Sequence, residues 1–230
     1  MQIGGIQKTS LLDYPEKISA IVFTKGCNFH CGYCHNPELF LSNTGQALNA
    51  SDFLEFLKTR KGKLDAVVIT GGEPCLQKDL KEFILAVKNL GFLVKLDTNG
   101  SFPDRLIALV ENGLIDYCAM DVKNSKSRYA ETVGTNVDIA AIEKSVAYLL
   151  SQDKIPFEFR TTVTANFHDE KSIEQLAEWI AGAPKYYLQK FVDSGDLIDG
   201  TVTGASDEQM HRYLEIAKKY VPAAELRGME

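Results

Sequence analysis

The strongest indication of the fold is the run ISAIVFT at residues 18–24, which is rich in β-branched and aromatic side chains. Such side chains favour strands because they are stiff at χ1 and pack well on a pleated surface. The run ends at Lys25-Gly26-Cys27, and a second run, AVVIT at residues 66–70, ends at Gly71-Gly72. We therefore predict buried strands that stop at polar or glycine-containing turns.

This pattern recurs along the chain. Four further strands are predicted at residues 92–96, 117–120, 157–163 and 186–191. Helical periodicity fills the intervals, at residues 51–60, 80–90, 104–112, 138–151, 170–181 and 206–220, with Ser51, Asp104 and Ser206 as expected N-caps. Alternating strands and helices predict an α/β fold with parallel strands and right-handed crossovers. Because about six units are too few for a closed eight-stranded barrel, we expect a partial (β/α)6 TIM-like barrel, formed as one domain over residues 1–230.

The composition is that of an ordinary globular protein, with 45% hydrophobic and 24% charged residues. The net charge of −6 and the scattered Lys and Arg residues argue against a general nucleic-acid binder. No run approaches the roughly 18 apolar residues that a membrane span needs. Residues 1–10 do not resemble a signal peptide. We expect a cytoplasmic protein with no membrane and no nucleic-acid partner.

Polar residues and glycines follow each predicted strand, with turns at Gly71-Gly72, at residues 97–100 and at residues 121–123. In α/β barrels and open parallel sheets, ligands bind at the carboxyl ends of the strands. These turns therefore predict a ligand site at that edge of the sheet, independently of any cysteine motif.

Three of the five cysteines, Cys27, Cys31 and Cys34, have the spacing C-x3-C-x2-C. Such close spacing lets thiolates converge on an inorganic cluster, and iron–sulfur clusters normally take four. Three thiolates on a four-iron cluster would leave one iron open to substrate, as in catalytic metal sites. The cysteines alone leave two alternatives open: a zinc site completed by His30 or His35, or thiols without a metal. Either histidine could equally be a loop residue that tunes or shields the site.

The two remaining cysteines, Cys75 and Cys118, lie beside or within predicted strands. Free cysteine behaves as a small buried hydrophobe, so we expect both to be packing residues.

These residues resemble the radical S-adenosylmethionine (SAM) superfamily, whose signature is C-x3-C-x2-C with an aromatic residue, here Tyr33, before the last cysteine. Gly71-Gly72-Glu73-Pro74 resembles the superfamily's GGEP segment. The resemblance implies a [4Fe-4S] cluster on Cys27, Cys31 and Cys34. It also implies that GGEP holds the amino group of SAM. The chemistry of the segment agrees, since glycines allow close backbone approach and Glu73 can accept from an ammonium.

Within the superfamily, the chain looks most like glycyl-radical-enzyme activating proteins, in particular the anaerobic ribonucleoside-triphosphate reductase activating proteins, near the pyruvate formate-lyase activators. The residues that carry this are Cys34-His35-Asn36, Asp97-Thr98-Asn99-Gly100, Met120-Asp121-Val122-Lys123 and Arg160. The similarity covers roughly residues 3–192.

The resemblance implies roles for this set. Asp121 and Lys123 would contact the ribose or carboxylate of SAM, and Arg160 would reach its carboxylate. Asn99 would belong to the same cofactor site, and Asp97 with Asp121 would hold a monovalent cation. Without the resemblance, residues 97–100 indicate an ordinary turn with a positive φ at Gly100, and Lys123 and Arg160 would be solvated or salt-bridged.

Two departures from the activator pattern concern the target protein. Pyruvate formate-lyase activators carry Asp-Gly-Pro-Gly followed by Arg before the first strand, where this chain has Asp13-Tyr14-Pro15-Glu16-Lys17. They also have a histidine at the end of the sixth strand, where this chain has Gln189-Lys190-Phe191.

The resemblance implies a radical SAM oxidoreductase that reductively cleaves SAM and generates a glycyl radical on a partner enzyme, such as an anaerobic ribonucleotide reductase. Its reductant would be a flavodoxin or ferredoxin. One alternative is a radical SAM enzyme acting on a small molecule, and another is a non-catalytic, zinc-stabilised binding module. The polar segment at residues 192–205 is long enough to contact a partner or substrate, or to be a flexible surface loop.

Overall fold

A computed structural model of the chain describes residues 1–41, 48–193, 195 and 197–229. Within these ranges eight strands form one sheet in sequential order. The strands are β1 (Ile3–Ser10), β2 (Ser19–Thr24), β3 (Ala66–Gly71), β4 (Leu93–Thr98), β5 (Tyr117–Asp121), β6 (Phe157–Val163), β7 (Tyr186–Lys190) and β8 (Ala224–Arg227). Strand β1 runs antiparallel to β2, whereas β2 to β8 are all parallel.

The helices fill the crossovers. They are α1 (Glu38–Leu41), α2 (Ala50–Lys58), α3 (Leu80–Asn89), α4 (Pro103–Glu111), α5 (Tyr129–Val133), α6 (Ile139–Ser151), α7 (Glu170–Trp179) and α8 (Asp207–Lys218). Short 3₁₀ turns lie at Pro74–Leu76 and Lys126–Arg128.

The predicted α/β class is confirmed, and the six predicted strands are β2 to β7. The two edge strands were not predicted. Strand β1 has the sequence IGGIQKTS, in which two glycines and four polar residues obscure the strand signal, and β8 has only four residues. In the described part of the chain, β1 and β8 do not pair with each other, so the sheet is an open, partial barrel.

The two faces of the sheet differ because side chains alternate along a strand. On β3, Val67 and Ile69 belong to the large core shared with the helices, whereas Ala66 and Val68 belong to a small inner cluster with Tyr14 and Tyr117. The rings of Tyr14 and Tyr117 lie 5.7 Å apart and cover the amino end of the barrel interior. The carboxyl end of the same inner face is polar.

One of the three expected N-caps is correct. Ser206 caps α8 in a capping box with Gln209. Ser51 lies inside α2, whose N-cap is Asn49, and Asp104 lies in the first turn of α4, which begins at Pro103. Proline favours the first helical position because its φ is already helical and its missing N–H would be unpaired there.

Candidate functional site

A cavity of about 410 Å³ opens at the carboxyl ends of the parallel strands. This is the edge at which the sequence predicted a ligand site. Of the predicted site residues, eleven line it: Cys27, Cys31, Tyr33, Cys34, Gly71, Gly72, Asp97, Asn99, Asp121, Lys123 and Arg160. Two predicted residues, Glu73 and Pro74, do not line it.

The cysteine loop follows β2 and is held from two sides. Gly26 N–H donates to the carbonyl of Leu39 at 2.9 Å, and His30 N–H donates to the carbonyl of Val133 at 2.9 Å. Within the loop, Cys34 N–H donates to the carbonyl of Cys31 at 3.0 Å. Helices α1 and α5 therefore fix the backbone that carries the three thiols.

The three thiols are unusually hard to ionise in the protein without a metal. Burial raises the pKa of Cys27 to about 12 and also raises the pKa of Cys31 and Cys34. The ammonium of Lys123 acts in the opposite direction on all three. Because thiolates are the metal-binding form, a positively charged metal centre would have to offset this desolvation.

Among the described residues, no three His, Cys, Asp or Glu side chains are placed to hold one metal ion. His30 is exposed and lies off the cavity, whereas His35 lines it and stacks on Phe191 with ring centres 5.5 Å apart.

Gly71 and Gly72 bring the turn after β3 against the cysteine loop. A Cβ on Gly71, which has φ 118°, would lie 2.3 Å from the amide nitrogen of Thr24. A Cβ on Gly72 would lie 2.0 Å from the carbonyl oxygen of Gly26. The close approach that these glycines permit is therefore to the end of β2 and to the start of the cysteine loop, where the sequence pattern suggested a ligand.

Glu73 is fully buried, and its carboxylate bonds to the protein itself. It accepts from Cys75 N–H at 2.8 Å, from the Thr98 hydroxyl at 2.8 Å and from Asn99 N–H at 2.7 Å. These bonds join the turn after β3 to the end of β4. Pro74 begins the 3₁₀ turn that follows.

A chain of alternating charges crosses the inner face of β4, β5 and β6. Arg160 Nη1 lies 3.0 Å from Asp97 Oδ2, and its Nε lies 2.8 Å from Asp121 Oδ1. Lys123 Nζ lies 2.9 Å from the other oxygen of Asp121. Lys95 Nζ lies 3.3 Å from Asp97 Oδ1 and extends the chain at its far end.

These ion pairs determine the pKa of Asp121. Burial raises the pKa of Asp121, but Arg160 and Lys123 outweigh it and lower that pKa to about 2. Asp97 and Asp121 both contact Arg160, so the cation that they share in this structure is the guanidinium. The monovalent-cation site on these two carboxylates stays a prediction.

Several residues in or beside the cavity were missed in the sequence. Asn28 accepts from Asn99 Nδ2 at 3.0 Å and donates to the Ser101 hydroxyl at 3.0 Å, which ties the cysteine loop to the turn after β4. The sequence feature that could have identified Asn28 is its position directly after Cys27. Asp13 and Gln189 line the cavity itself. The sequence singled out both stretches only as departures from the activator pattern.

The segment after β7 lies against the cysteine loop. Asp199 N–H donates to the carbonyl of Gly32 at 3.1 Å, and Val202 and Ala205 are buried. Asn166 Oδ1 accepts from Thr203 N–H at 2.8 Å. Residues 197–205, which we call the strap, are therefore packed on the protein. Residues 194 and 196 of this predicted segment lie outside the described residues.

The two remaining cysteines, Cys75 and Cys118, do not line the cavity. Cys75 and Cys118 are fully buried in the large core, as expected of packing residues. None of the helices in the described ranges is both long enough and apolar enough to span a bilayer.

Comparison with known proteins adds to this geometry. The model of the Radical SAM superfamily matches residues 21–180. The chain is 34% identical to a Methanocaldococcus jannaschii protein named as a glycyl-radical enzyme activating enzyme, over 98% of this chain and 95% of that protein. It is 28% identical to the pyruvate formate-lyase-activating enzyme of Listeria monocytogenes, over 80% of this chain and 77% of that protein. The structure of Streptococcus suis SuiB bound to S-adenosylmethionine matches with a TM-score of 0.70 at 17% identity, over 91% of this chain and 52% of that one. This last likeness concerns the fold.

Proposed function

The chain belongs to the radical SAM superfamily and, within it, to the group of the glycyl-radical enzyme activating enzymes, and from this premise we propose that it cleaves SAM reductively to activate a glycyl-radical enzyme. The superfamily uses a [4Fe-4S] cluster together with SAM. When bound, the cluster supplies the electron that splits the sulfonium of SAM into methionine and a 5′-deoxyadenosyl radical.

The observation that carries the proposal is the position of the three thiols. Cys27, Cys31 and Cys34 stand in the wall of one cavity, while the other two cysteines are buried away from it. Three protein ligands on a four-iron cluster leave one iron for the amino-acid head group of SAM. The donor set therefore suits a cluster that binds its substrate directly.

The charged and polar side chains beside the cysteine loop suit the carboxylate and the ribose of SAM. Lys123 and Arg160 are the cations that face the cavity beside the cysteine loop, and we assign to them the methionine carboxylate. Asp121 and Asn99 offer oxygen and amide groups to the ribose hydroxyls. Tyr33, Gly71 and Gly72 form the wall, and Glu73 with Pro74 positions that wall from behind.

The hydrogen donor in this proposal is a glycine of the partner. The 5′-deoxyadenosyl radical takes one hydrogen atom from the glycine Cα, which gives 5′-deoxyadenosine and a glycyl radical. The barrel mouth lies open on the side where such a glycine-bearing loop would enter. A small-molecule substrate at the same mouth is the second candidate.

The test is anaerobic. The reconstituted protein is reduced with dithionite in the presence of SAM, and 5′-deoxyadenosine is quantified. Candidate glycyl-radical enzymes are then added, and EPR is used to look for a glycine-centred doublet. Turnover of a metabolite without any partner protein would favour the small-molecule alternative.

Two variants check the ligand assignment. Cys31→Ala should lose the cluster and all 5′-deoxyadenosine formation, because the cluster would keep only two ligands. Cys118→Ala, a buried cysteine away from the cavity, should keep both. Full iron and sulfide content in Cys31→Ala would refute the assignment.

A further inference from the structure

A separate cavity of about 190 Å³ lies between α3 and α4. Its rim carries Lys78, Lys81 and Arg105, and its floor is formed by Leu80, Leu109 and Leu114. We call this surface the basic groove. The three rim side chains are exposed, and the three floor leucines are buried. It is therefore an apolar depression surrounded by positive charge.

Among the described residues, no carboxylate lines the basic groove. Of the nearby acids, Asp79 pairs with the amino terminus and Asp104 pairs with Lys144 at 2.7 Å. Lys78 and Lys81 form no ion pair with any residue in the described ranges. A positive patch of this kind stands out on a chain whose net charge is −6.

The basic groove lies directly behind the cysteine loop. Arg105 Nη1 donates to the carbonyl of Cys75 at 2.6 Å and to that of Gln77 at 2.9 Å. Gln77 Nε2 in turn donates to the carbonyl of Lys25 at 2.6 Å, two residues before Cys27. A single turn of backbone, residues 74–77, therefore separates the groove from the first cluster ligand.

We propose that the basic groove is the docking surface for an acidic, one-electron carrier protein that reduces the cluster. The inference rests on the proposed function, which requires one electron for each SAM cleaved. One electron passes from the reduced carrier to the cluster on Cys27, Cys31 and Cys34, the carrier is oxidised by one electron, and no atom is transferred. Positive rim charges would steer a carrier whose carboxylates surround its redox group. Electron-transfer encounters bury little surface, so a groove of this size with its rim is sufficient.

The test compares two double variants with the same change in charge. Lys78→Glu/Lys81→Glu reverses the rim, whereas Lys171→Glu/Lys218→Glu reverses two exposed lysines on α7 and α8. Each reconstituted protein is mixed anaerobically with pre-reduced ferredoxin, and in parallel with pre-reduced flavodoxin. Cluster reduction is followed by the loss of visible absorption at several salt concentrations.

We expect the rim variant to be reduced by the carriers about tenfold more slowly at low salt, because electrostatic steering raises association rates by 10-fold or more. Its rate should also depend less on salt. Reduction by dithionite, and SAM cleavage driven by dithionite, should match wild type. The control variant should change by less than about twofold in every assay.

Equal carrier-driven rates in the rim and control variants would overturn the proposal. A rim variant that dithionite also reduces slowly would overturn it as well, because the lysines would then act through the fold. Cluster reduction is measured in an assay that does not depend on SAM cleavage. Failure of the docking proposal can therefore be distinguished from failure of the proposed function. Wild-type protein that the carrier reduces through the groove but that yields no 5′-deoxyadenosine would refute only the proposed function.

Discussion

Gly72 is the residue at which the turn after β3 touches the cysteine loop. It has no positive φ, so the need for glycine comes from space alone. The position that a Cβ would take is 2.6 Å from the carbonyl carbon of Gly26 as well as 2.0 Å from its oxygen. Backbone atoms cannot rotate away as a side chain can, so any larger residue must move the loop that carries the thiols.

We therefore predict that Gly72→Ala impairs cluster assembly. The displaced loop should hold iron and sulfide at well below wild-type content after anaerobic reconstitution, as measured by metal and sulfide analysis. Gly200→Ala is the matched control, since Gly200 has open space around its Cβ position and no positive φ. Wild-type cluster content in Gly72→Ala would show that the loop adapts without cost.

Arg160 is the residue that holds two partly buried carboxylates together. Removing one member of a buried ion pair leaves an uncompensated charge and costs about 3–5 kcal/mol. We predict a loss of this order in the free energy of unfolding for Arg160→Met at pH 7, measured by urea denaturation. The same change at Arg212, whose ion pairs lie on the surface, should have little effect. Similar losses in both variants would contradict the role of Arg160.

The ion pair between Arg160 and Asp121 should also affect how the stability of the protein depends on pH. The pKa of Asp121 is about 2 in the folded protein, below its ordinary value near 4. A lowered carboxyl pKa stabilises the fold fully above the unfolded pKa, and this contribution is lost as the pH falls through the folded pKa. Wild type should therefore lose about 2 kcal/mol between pH 4 and pH 2 from this group. In Arg160→Met the pKa of Asp121 should move back toward or above its unfolded value, so the loss between pH 4 and pH 2 should be smaller or reversed. Identical pH profiles in the two proteins would count against the role of Arg160.

At this scale the sequence predicted the identity of most site residues but not their partners. Strand alternation places Asp121 and Lys123 on one side, but their contact with Arg160 depends on the register of β5 against β6, where Asp121 faces Arg160. Register depends on packing across the whole sheet. For Glu73 the sequence likewise gave no indication of its donors within the protein, which are Cys75, Thr98 and Asn99, and its predicted contact with SAM stays a prediction.

The strap shows how an element without regular structure stabilises the site. It lies on Gly32 of the cysteine loop through Asp199, and it is fastened to the end of β6 by a bridge between Thr164 and Gly204. Asn166 adds bonds from its side chain to the backbone of Thr201 and Thr203. The sequence indicated only a long polar segment, because these bonds join residues that are more than 30 positions apart.

We predict that Asn166→Ala loosens the strap. Amide exchange at Thr203 should become faster, because its N–H loses its acceptor, and the cluster should be extracted faster by a chelator in anaerobic buffer. Asn89→Ala, an exposed position at the end of α3, should change neither. Unchanged exchange at Thr203 would mean that the remaining bonds fix the strap without Asn166.

The elements themselves were predictable where the local signal was strong. Strands β2 to β7 contain aromatic, β-branched or other apolar side chains between turns, and α8 begins at a Ser-x-x-Gln capping box. Strands β1 and β8 form only because a neighbouring strand offers them a partner. Their own sequences give too little indication of that pairing.

At the scale of the molecule, one sheet runs from Ile3 to Arg227, and one large core contains residues from Ile3 to Ala224. We therefore predict that residues 1–230 unfold as one cooperative domain. Far-UV circular dichroism and the fluorescence of Trp179, the single tryptophan, should give the same urea midpoint. Separated midpoints would indicate two independently folding parts.

The pairing of Tyr14 with Tyr117 has a kinetic consequence. It closes the amino end of the barrel interior, so molecules reach the cysteine loop from the opposite end. Under the proposed function, a partner protein that settles over that opening would seal in whatever arrived earlier. We therefore predict that the small ligand loads first and that its fragments leave last, in a compulsory order of addition and release.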